Sequence, residues 1–398
     1  SSSAASDVYK RQPLFVEAMK RQKQGIDILK LNTGNPATFG FGLPDSIKNA
    51  LMEHMQDGVG YCDFKGMPQA RQAICDYETS KGIKGITPDD VFIGNGVSEV
   101  VSFALTPLLN DGDEVLVPSP SYSLWGNSVY LEDGKPVFYT CDEQANWYPD
   151  IQDIRSKITD KTKAIVIINP NNPTGVLYPK ELLLEIIQIA RESGLLIFAD
   201  EIYDRLVMDG KQHISLASLT EDVPVITLNG LSKSHCLCGY RCGWMVISGP
   251  RELTEDYRQG IIQLTSLRLC ANTMAQIVIP AALDDMETPA SMVRPGGRIY
   301  EQREATVREL EKIDGLSFVK NDAAFYVFPK LDVKKFNITN DKQFAHDLLD
   351  ATNILLVPGS GFDWKDPDHF RIVMLPQADI LSDAIRRMGT FLDGYKQK

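Results

Sequence analysis

The sequence predicts an α/β fold, with a large domain on a mainly parallel seven-stranded sheet and a smaller α+β domain. Three observations predict it. From Val91 onward, short apolar runs alternate with helical patterns, and the runs are apolar at successive positions. Strands of that kind are buried on both faces and belong to parallel sheets covered by helices on both sides. The 398 residues exceed one ordinary core, so two domains follow. Polar and ionisable residues recur at the ends of the apolar runs, where open α/β sheets gather ligands.

Taken in order, LFVEAMKRQKQGIDILKLNTGNP reads as an amphipathic helix, a stop at Gly25, a short strand and a turn holding Gly34. Without a side chain, Gly34 lets a ligand approach the backbone, though an ordinary turn glycine reads the same. A helix near Pro44 to Met55 precedes GYCDFKGMPQARQAICDY, where Tyr61 lies in a glycine-flanked loop and a helix starts near Pro68. The run VFIGNG leads into a helix from Ser98 to Leu109, followed by the strands EVLVPSP, PVFYT and KAIVIINP. The helix KELLLEIIQIARESG then precedes the strands LLIFADEIY, PVITLNG and GWMVIS. Beyond the stretch LTSLRLCANTMAQIVIPAAL, a helix from Gly297 to Leu310 precedes LSFVKNDAAFYVFPK, NILLVPGSGF and HFRIVML, read as strands of the smaller domain.

The residues at the strand ends carry the chemistry. Gly96, Val97 and Ser98 leave a strand and open a helix, whose free N–H groups and positive dipole end suit a phosphate. Tyr122 offers a ring for stacking, and Asn172 in NPNNPTG offers a neutral donor. Asp200 ends an apolar strand, an awkward place for a carboxylate unless a cation meets it; Tyr203 follows three residues later. In NGLSKSHCLCGYR, Lys233 lies just past a buried strand, where desolvation would free its amine as a nucleophile. Arg241 adds a permanent planar cation suited to phosphate. A lysine for an aldehyde and an arginine for a phosphate suggest pyridoxal phosphate; a surface lysine beside a structural arginine is the other reading. Arg371 lies inside an apolar strand, compatible with either a structural salt bridge or a carboxylate site.

Composition narrows the classes. Hydrophobic content of 43% with mixed charge indicates a soluble globular chain, and the net charge of −12 argues against a nucleic-acid surface. No apolar run reaches membrane-spanning length, and no GxGxxG follows a strand. Cys236, Cys238 and Cys242 lack the spacing of zinc ligands, so no metal is expected and the seven cysteines read as reduced thiols of a cytoplasmic protein. Ser2 to Gln12, SSAASDVYKRQ, resembles the in-frame translation of a transposase sequencing adapter, so residues 1–12 are expected to be a non-native tail; a polar native arm is the alternative. The expected division is an N-terminal segment, 13–45, packing with the small domain, a large cofactor-binding domain, 46–285, and a small domain, 286–398.

LNTGNP, GYCDFKG, GNGVSE, NPNNPTG, FADEIYD, NGLSK with Arg241, and FRIV together resemble the fold-type I, pyridoxal-phosphate-dependent class I/II aminotransferases. SLRLCAN, RPGGRIYEQR and DHFRIV resemble the bacterial glutamate–pyruvate (alanine) branch of that family. The resemblance implies that Lys233 holds pyridoxal 5'-phosphate covalently and serves as the base, with Asp200 on the ring nitrogen. It implies Tyr203 and Asn172 on the phenolic oxygen, Tyr122 stacked on the ring, and Gly96, Val97, Ser98, Ser232 and Arg241 around the phosphate. Tyr61 would reach the phosphate of a neighbouring subunit in a homodimer, and Arg371 would clamp the substrate carboxylate beside Gly34 and Asn172. The implied reaction is transamination between glutamate and pyruvate by a ping-pong mechanism. Tyr9, Arg11 and Arg268 are candidates for a distal carboxylate, with a structural role for Arg268 the other reading. Ala323-Ala324 departs from the glycine of the family's pattern. The alternatives are an aminotransferase of aromatic or branched substrates, a cysteine-conjugate β-lyase, the ligand-sensing domain of a transcription regulator, or an inactive homologue.

Overall fold

The computed structural model describes residues 12–398. Its central sheet has eight strands in the spatial order Val91–Asn95, Cys242–Ser248, Val225–Gly230, Leu196–Asp200, Thr162–Ile168, Glu114–Ser119, Lys135–Asp142 and Tyr148–Pro149. The last, two residues long, lies antiparallel at one edge and adds to the seven expected. Cys242–Ser248 runs against both of its neighbours, and the remaining pairings are parallel.

Side-chain alternation explains why the strands read as continuous apolar runs. On Thr162–Ile168, Ile165 and Ile167 join Leu183, Ile186 and Ile187 of the helix Lys180–Ser193. Ala164, Val166 and Ile168 point the other way, toward Val101, Leu105 and Trp125. A fully buried branched side chain stabilises by about 1.5–3 kcal/mol, against a strand-propensity range of ~1 kcal/mol. Burial on both faces therefore dictates the strand.

Chain order makes a switch point. The strand Glu114–Ser119 is followed outward by Lys135–Asp142, and the chain then returns to lay Thr162–Ile168 on its other side. The two connections diverge there, leaving a crevice beyond Ser119 and Ile168. The helix expected over 98–109 spans Val97–Leu105 and stops ahead of Pro107, which lacks an N–H to continue it.

The second body has its own core of Leu310, Phe344, Leu348, Ile372, Ile385 and Met388, among others. Its helices are Arg298–Leu310, Asp341–Thr352 and Ala378–Leu392. The N-terminal helix Gln12–Lys23 packs against it through Ala18, which meets Leu349 and Leu355. Leu29–Lys30 pairs in parallel with Ile354–Leu355. The long strands read over LSFVKNDAAFYVFPK and NILLVPGSGF are in fact pairs of residues: Leu316–Ser317, Tyr326–Val327, Lys330–Leu331, Ile354–Leu355 and Val357–Pro358. The first run is broken because residues 321–324 turn to meet the large body, with Ala324 in the left-handed region at φ 58°. A glycine would adopt that conformation without strain.

The contact between the bodies passes through Gly175 of NPNNPTG. Its carbonyl accepts the N–H groups of Asp322 and Ala323, both at 2.9 Å. Its φ is +68°, and a Cβ there would lie 2.6 Å from the Asn321 Cβ and 2.8 Å from the Ala323 carbonyl oxygen. Gly175→Ala is therefore expected to destabilise the fold by about 1–3 kcal/mol, measured by urea unfolding; an unchanged midpoint would show that this contact bears no load.

Candidate active site

A cavity of about 320 Å³ lies at the carboxyl ends of the parallel strands, bounded from the second body by Tyr326 and Arg371. Its wall includes Val97 and Ser98, Tyr122, Asn172, Asp200 and Tyr203. It also includes Ser232, Lys233, Arg241 and Gly34. Register accounts for the convergence: Ile168 lies opposite Asp200, and Asp200 opposite Leu228, so the segments leaving these strands start from one line.

Asp200 is 6% exposed. The Trp125 Nε1–H donates to its Oδ2 at 3.0 Å, and the Ile202 amide donates to Oδ1 at 3.4 Å. Burial raises its pKa to about 6, with the two donors opposing and the neighbouring Glu201 adding to the rise. No cationic side chain among the described residues pairs with it. Charge is thus held here at a cost that an incoming cation would relieve.

Across the cavity the charge is positive. Gly96, at φ 83°, caps the helix Val97–Leu105, whose first amides have no intrahelical acceptor. The Arg241 guanidinium packs on Gly96 so closely that a Cβ there would lie 2.2 Å from Nη2. Arg241 adopts φ 56°, and its Nη1 donates to the Cys238 carbonyl at 2.9 Å, fixing the fork beside the helix terminus. Gly243 presses on the same turn, since a Cβ on it would lie 2.4 Å from the Val97 nitrogen. A guanidinium and a helix N-terminus at one spot form an anion seat.

The Lys233 Nζ donates to the Gly34 carbonyl at 2.9 Å and sits 5.9 Å above the Phe325 ring. Gly34 has no room for a side chain, because a Cβ would lie 2.3 Å from the Tyr326 Oη. Tyr326 and Tyr203 share a hydrogen bond between hydroxyls at 2.8 Å.

Arg371 is 6% exposed and lies between the rings of Tyr326 and Phe362, 4.6 and 4.7 Å from their centroids. Its Nη1 donates to the Asn172 Oδ1 at 2.9 Å, and its Nη2 donates to the Asn32 carbonyl. Its Nε has no partner among the described residues, and no carboxylate pairs with it there. The two readings of this residue therefore separate: the guanidinium is not half of an internal salt bridge among the described residues.

Other residues fall elsewhere. Tyr61 is 84% exposed and does not line the cavity of this chain. Arg268 pairs with Glu99 at 2.7 Å and with the carbonyls of Phe64 and Ile93, a structural engagement. Tyr9 and Arg11 lie outside the described residues. Sequence reading passed over Trp125, Tyr326 and Asn32, which hold Asp200, Tyr203 and Arg371. LNTGNP marks Gly34, and the same motif contains Asn32; Trp125 and Tyr326 are aromatic residues with no local mark of their role.

The family described as aminotransferase class I and II matches residues 26–385. The glutamate-pyruvate aminotransferase AlaA of Haemophilus influenzae is 51% identical over 387 residues, covering 97% of this chain and 96% of that protein. An alanine aminotransferase of Mycobacterium bovis is 46% identical, over 97% of this chain and 90% of its own. Among solved structures, an aminotransferase from Escherichia coli superposes with a TM-score of 0.96 at 47% identity, covering 98% of this chain and 96% of that one. An alanine aminotransferase from Pyrococcus furiosus gives 0.93 at 41% identity, covering 99% of both chains.

The raised Asp200 pKa sets a stability expectation. With a folded-state pKa near 6 and an unfolded value of about 3.9, the carboxylate costs nothing below about pH 4. The cost grows as pH rises toward about 6 and is constant above. In ligand-free protein, Asp200→Asn should accordingly gain about 2–3 kcal/mol at pH 8 relative to its effect at pH 4. Urea unfolding at the two pH values measures this, and an effect equal at both would contradict the assignment.

Proposed function

The chain belongs to the class I and II aminotransferase family, and from that premise we propose that it moves an amino group between L-glutamate and pyruvate, yielding 2-oxoglutarate and L-alanine, with pyridoxal 5'-phosphate as carrier. The pairing of substrates is supported by relatives of 48–51% identity named glutamate-pyruvate aminotransferase, and by one of 46% named alanine aminotransferase. The observation that carries the reading is Arg371: a buried guanidinium facing the amine-bearing cavity, with neutral partners only and a free Nε among the described residues. An α-carboxylate is the ligand such a fork lacks.

The residues present fit the cofactor. Arg241, seated where Gly96 leaves room only for it, and the head of Val97–Leu105 with Ser98 and Ser232 suit a phosphate. A buried carboxylate without a cation suits a protonated pyridine nitrogen. When bound, the cofactor supplies an aldehyde carbon that takes up the amino group and a ring that accepts electrons. Lys233 would hold that carbon and, once freed, would serve as the base for the proton on the substrate Cα. Asp200, whose donors are the neutral N–H groups of Trp125 and Ile202, would pair with a protonated ring nitrogen. Asn172, whose Oδ1 accepts from Arg371, keeps its NH₂ free to donate and, with Tyr203, would hold the phenolic oxygen. Tyr122, in the cavity wall, would cover the ring face. Glutamate and alanine share the α-carboxylate that Arg371 and the Gly34 backbone hold.

On this reading residues 46–285 bind the cofactor, while residues 13–45 and 286–398 close over the substrate. The working unit is a homodimer. Exposed Met52, Met55, Val59, Tyr61, Leu267 and Leu269 offer an apolar surface for a second copy, and Gly58 packs on Met274 to join its two parts. Tyr61 would then meet the phosphate in its partner's cavity. The seven free thiols fit a cytoplasmic setting.

Two outcomes test the proposal. Lys233→Ala should remove the visible band of the bound cofactor and lower turnover by about 10²–10⁴-fold; a retained band would unseat that lysine. Arg371→Ala should raise the KM for L-alanine and L-glutamate by about 10–100-fold while the cofactor remains bound. An unchanged KM would return Arg371 to a structural role.

A further inference from the structure

FADEIYD and NGLSK contain three residues that the proposed chemistry leaves unused: Glu201, Asp204 and Asn229. All are buried and meet behind the cavity, outside its lining. At their centre is Lys81, at the C-terminus of the helix Pro68–Ser80. Its Nζ lies 2.7 Å from Glu78, 2.8 Å from Glu201 and 3.1 Å from Asp204. Each carboxylate is tied to a different element. Glu78 accepts from the Trp244 indole at 3.3 Å, on the strand Cys242–Ser248. Glu201 Oε1 accepts from the Ser215 hydroxyl and the Leu216 amide, both at 3.0 Å. Asp204 Oδ2 accepts from Tyr77 Oη at 2.6 Å and from Asn229 Nδ2 at 2.8 Å.

The sequence distances are short. Glu201 is one residue from Asp200, and Asp204 is one from Tyr203. Asn229 lies four residues before Lys233, on the strand that delivers it. The bond between Asp204 and Asn229 therefore joins the Asp200 turn to the Lys233 strand. The other charged groups here are the Arg205 guanidinium, stacked 4.4 Å over Tyr77 and donating to its hydroxyl, and His213, 4.0 Å from Glu201 and kept neutral-leaning by burial. Lys81 is the ammonium common to all three carboxylates. Without it, Glu201 and Asp204 would lose the ammonium they share. Two desolvated carboxylates beside Asp200 would be left to neutral donors and the more distant Arg205 and His213, which favours opening of the turn to rehydrate them.

We propose that Lys81, outside the cavity, is a positioning residue for transamination: it bridges Glu201 and Asp204, and so holds Asp200 and Tyr203 in register with Lys233. This rests on the transaminase reading above. It predicts that the effect of losing Lys81 falls on kcat and on the cofactor's environment, because Arg371 belongs to the other body and is not in the cluster.

The test uses the protein saturated with pyridoxal phosphate. Lys81→Met, which keeps the stem but not the charge, should lower kcat with L-alanine and 2-oxoglutarate by about 10–100-fold and leave KM within about threefold. It should also diminish the circular dichroism of the cofactor band, and Lys81→Arg should restore part of both. Normal kcat and dichroism in Lys81→Met, with only a lower melting temperature, would overturn the proposal. Should Lys81→Met fail to fold, Glu201→Gln serves in its place. It keeps an acceptor for Ser215 and Leu216 while removing one charge from Lys81, and is expected to shift kcat and dichroism in the same direction. Unchanged values there would equally overturn it. Parent protein with no cofactor band or no transamination would instead defeat the transaminase reading, and this inference with it; a parent that turns over beside an equal Lys81→Met defeats this inference alone.

Discussion

The structure depends on a carboxylate held almost entirely away from water, 6% exposed in the cavity wall. Asp200 ends a strand buried on both faces, and its nearest donors are the neutral N–H groups of Trp125 and Ile202. Desolvating an ion costs several kcal/mol, whereas a hydrogen bond to a charged group returns about 1.5–3 kcal/mol. The balance left over appears as a pKa near 6. A site in that condition suits an incoming cation, which on the proposed function is a ring nitrogen, and the parallel register of the neighbouring strands brings the amine, the amide donor and the anion seat around the same point.

The second body answers with the opposite charge. Arg371 is buried between two aromatic rings, on a strand bordered by Val357–Pro358 and Tyr326–Val327. Its hydrogen bonds go to an amide and a carbonyl rather than to a carboxylate. Burial without a counter-ion disfavours its charge, as it does that of Asp200. On the proposed function, an amino acid and its cofactor would bring the complementary groups to both.

Much of this was legible in the sequence because it rests on local signals. Strands such as Thr162–Ile168 are apolar on both faces, and an ionisable residue at the end of such a run stands out. The remainder depended on contacts between distant segments. The partner of Arg371 could not be read from its strand, since a salt bridge and a vacant fork leave the same local pattern. Trp125 and Tyr326 look like ordinary core aromatics until Asp200 and Tyr203 are placed beside them. In the smaller body the strands are two-residue fragments, too short for periodicity, and residues 321–324 are bent by their contact with Gly175. The helix Arg251–Leu267 buries Thr254, Arg258 and Thr265 beside Ile261, and those polar positions blur its apolar stripe.

The most direct measurement is the ionisation of Asp200 itself, followed by carbon NMR on protein labelled at aspartate side chains and assigned through Asp200→Asn. In ligand-free protein its resonance should titrate near pH 6. With pyridoxal phosphate bound it should stay ionised well below that pH. A resonance whose titration is unmoved by the cofactor would contradict the account, because the buried carboxylate would then have met no cation.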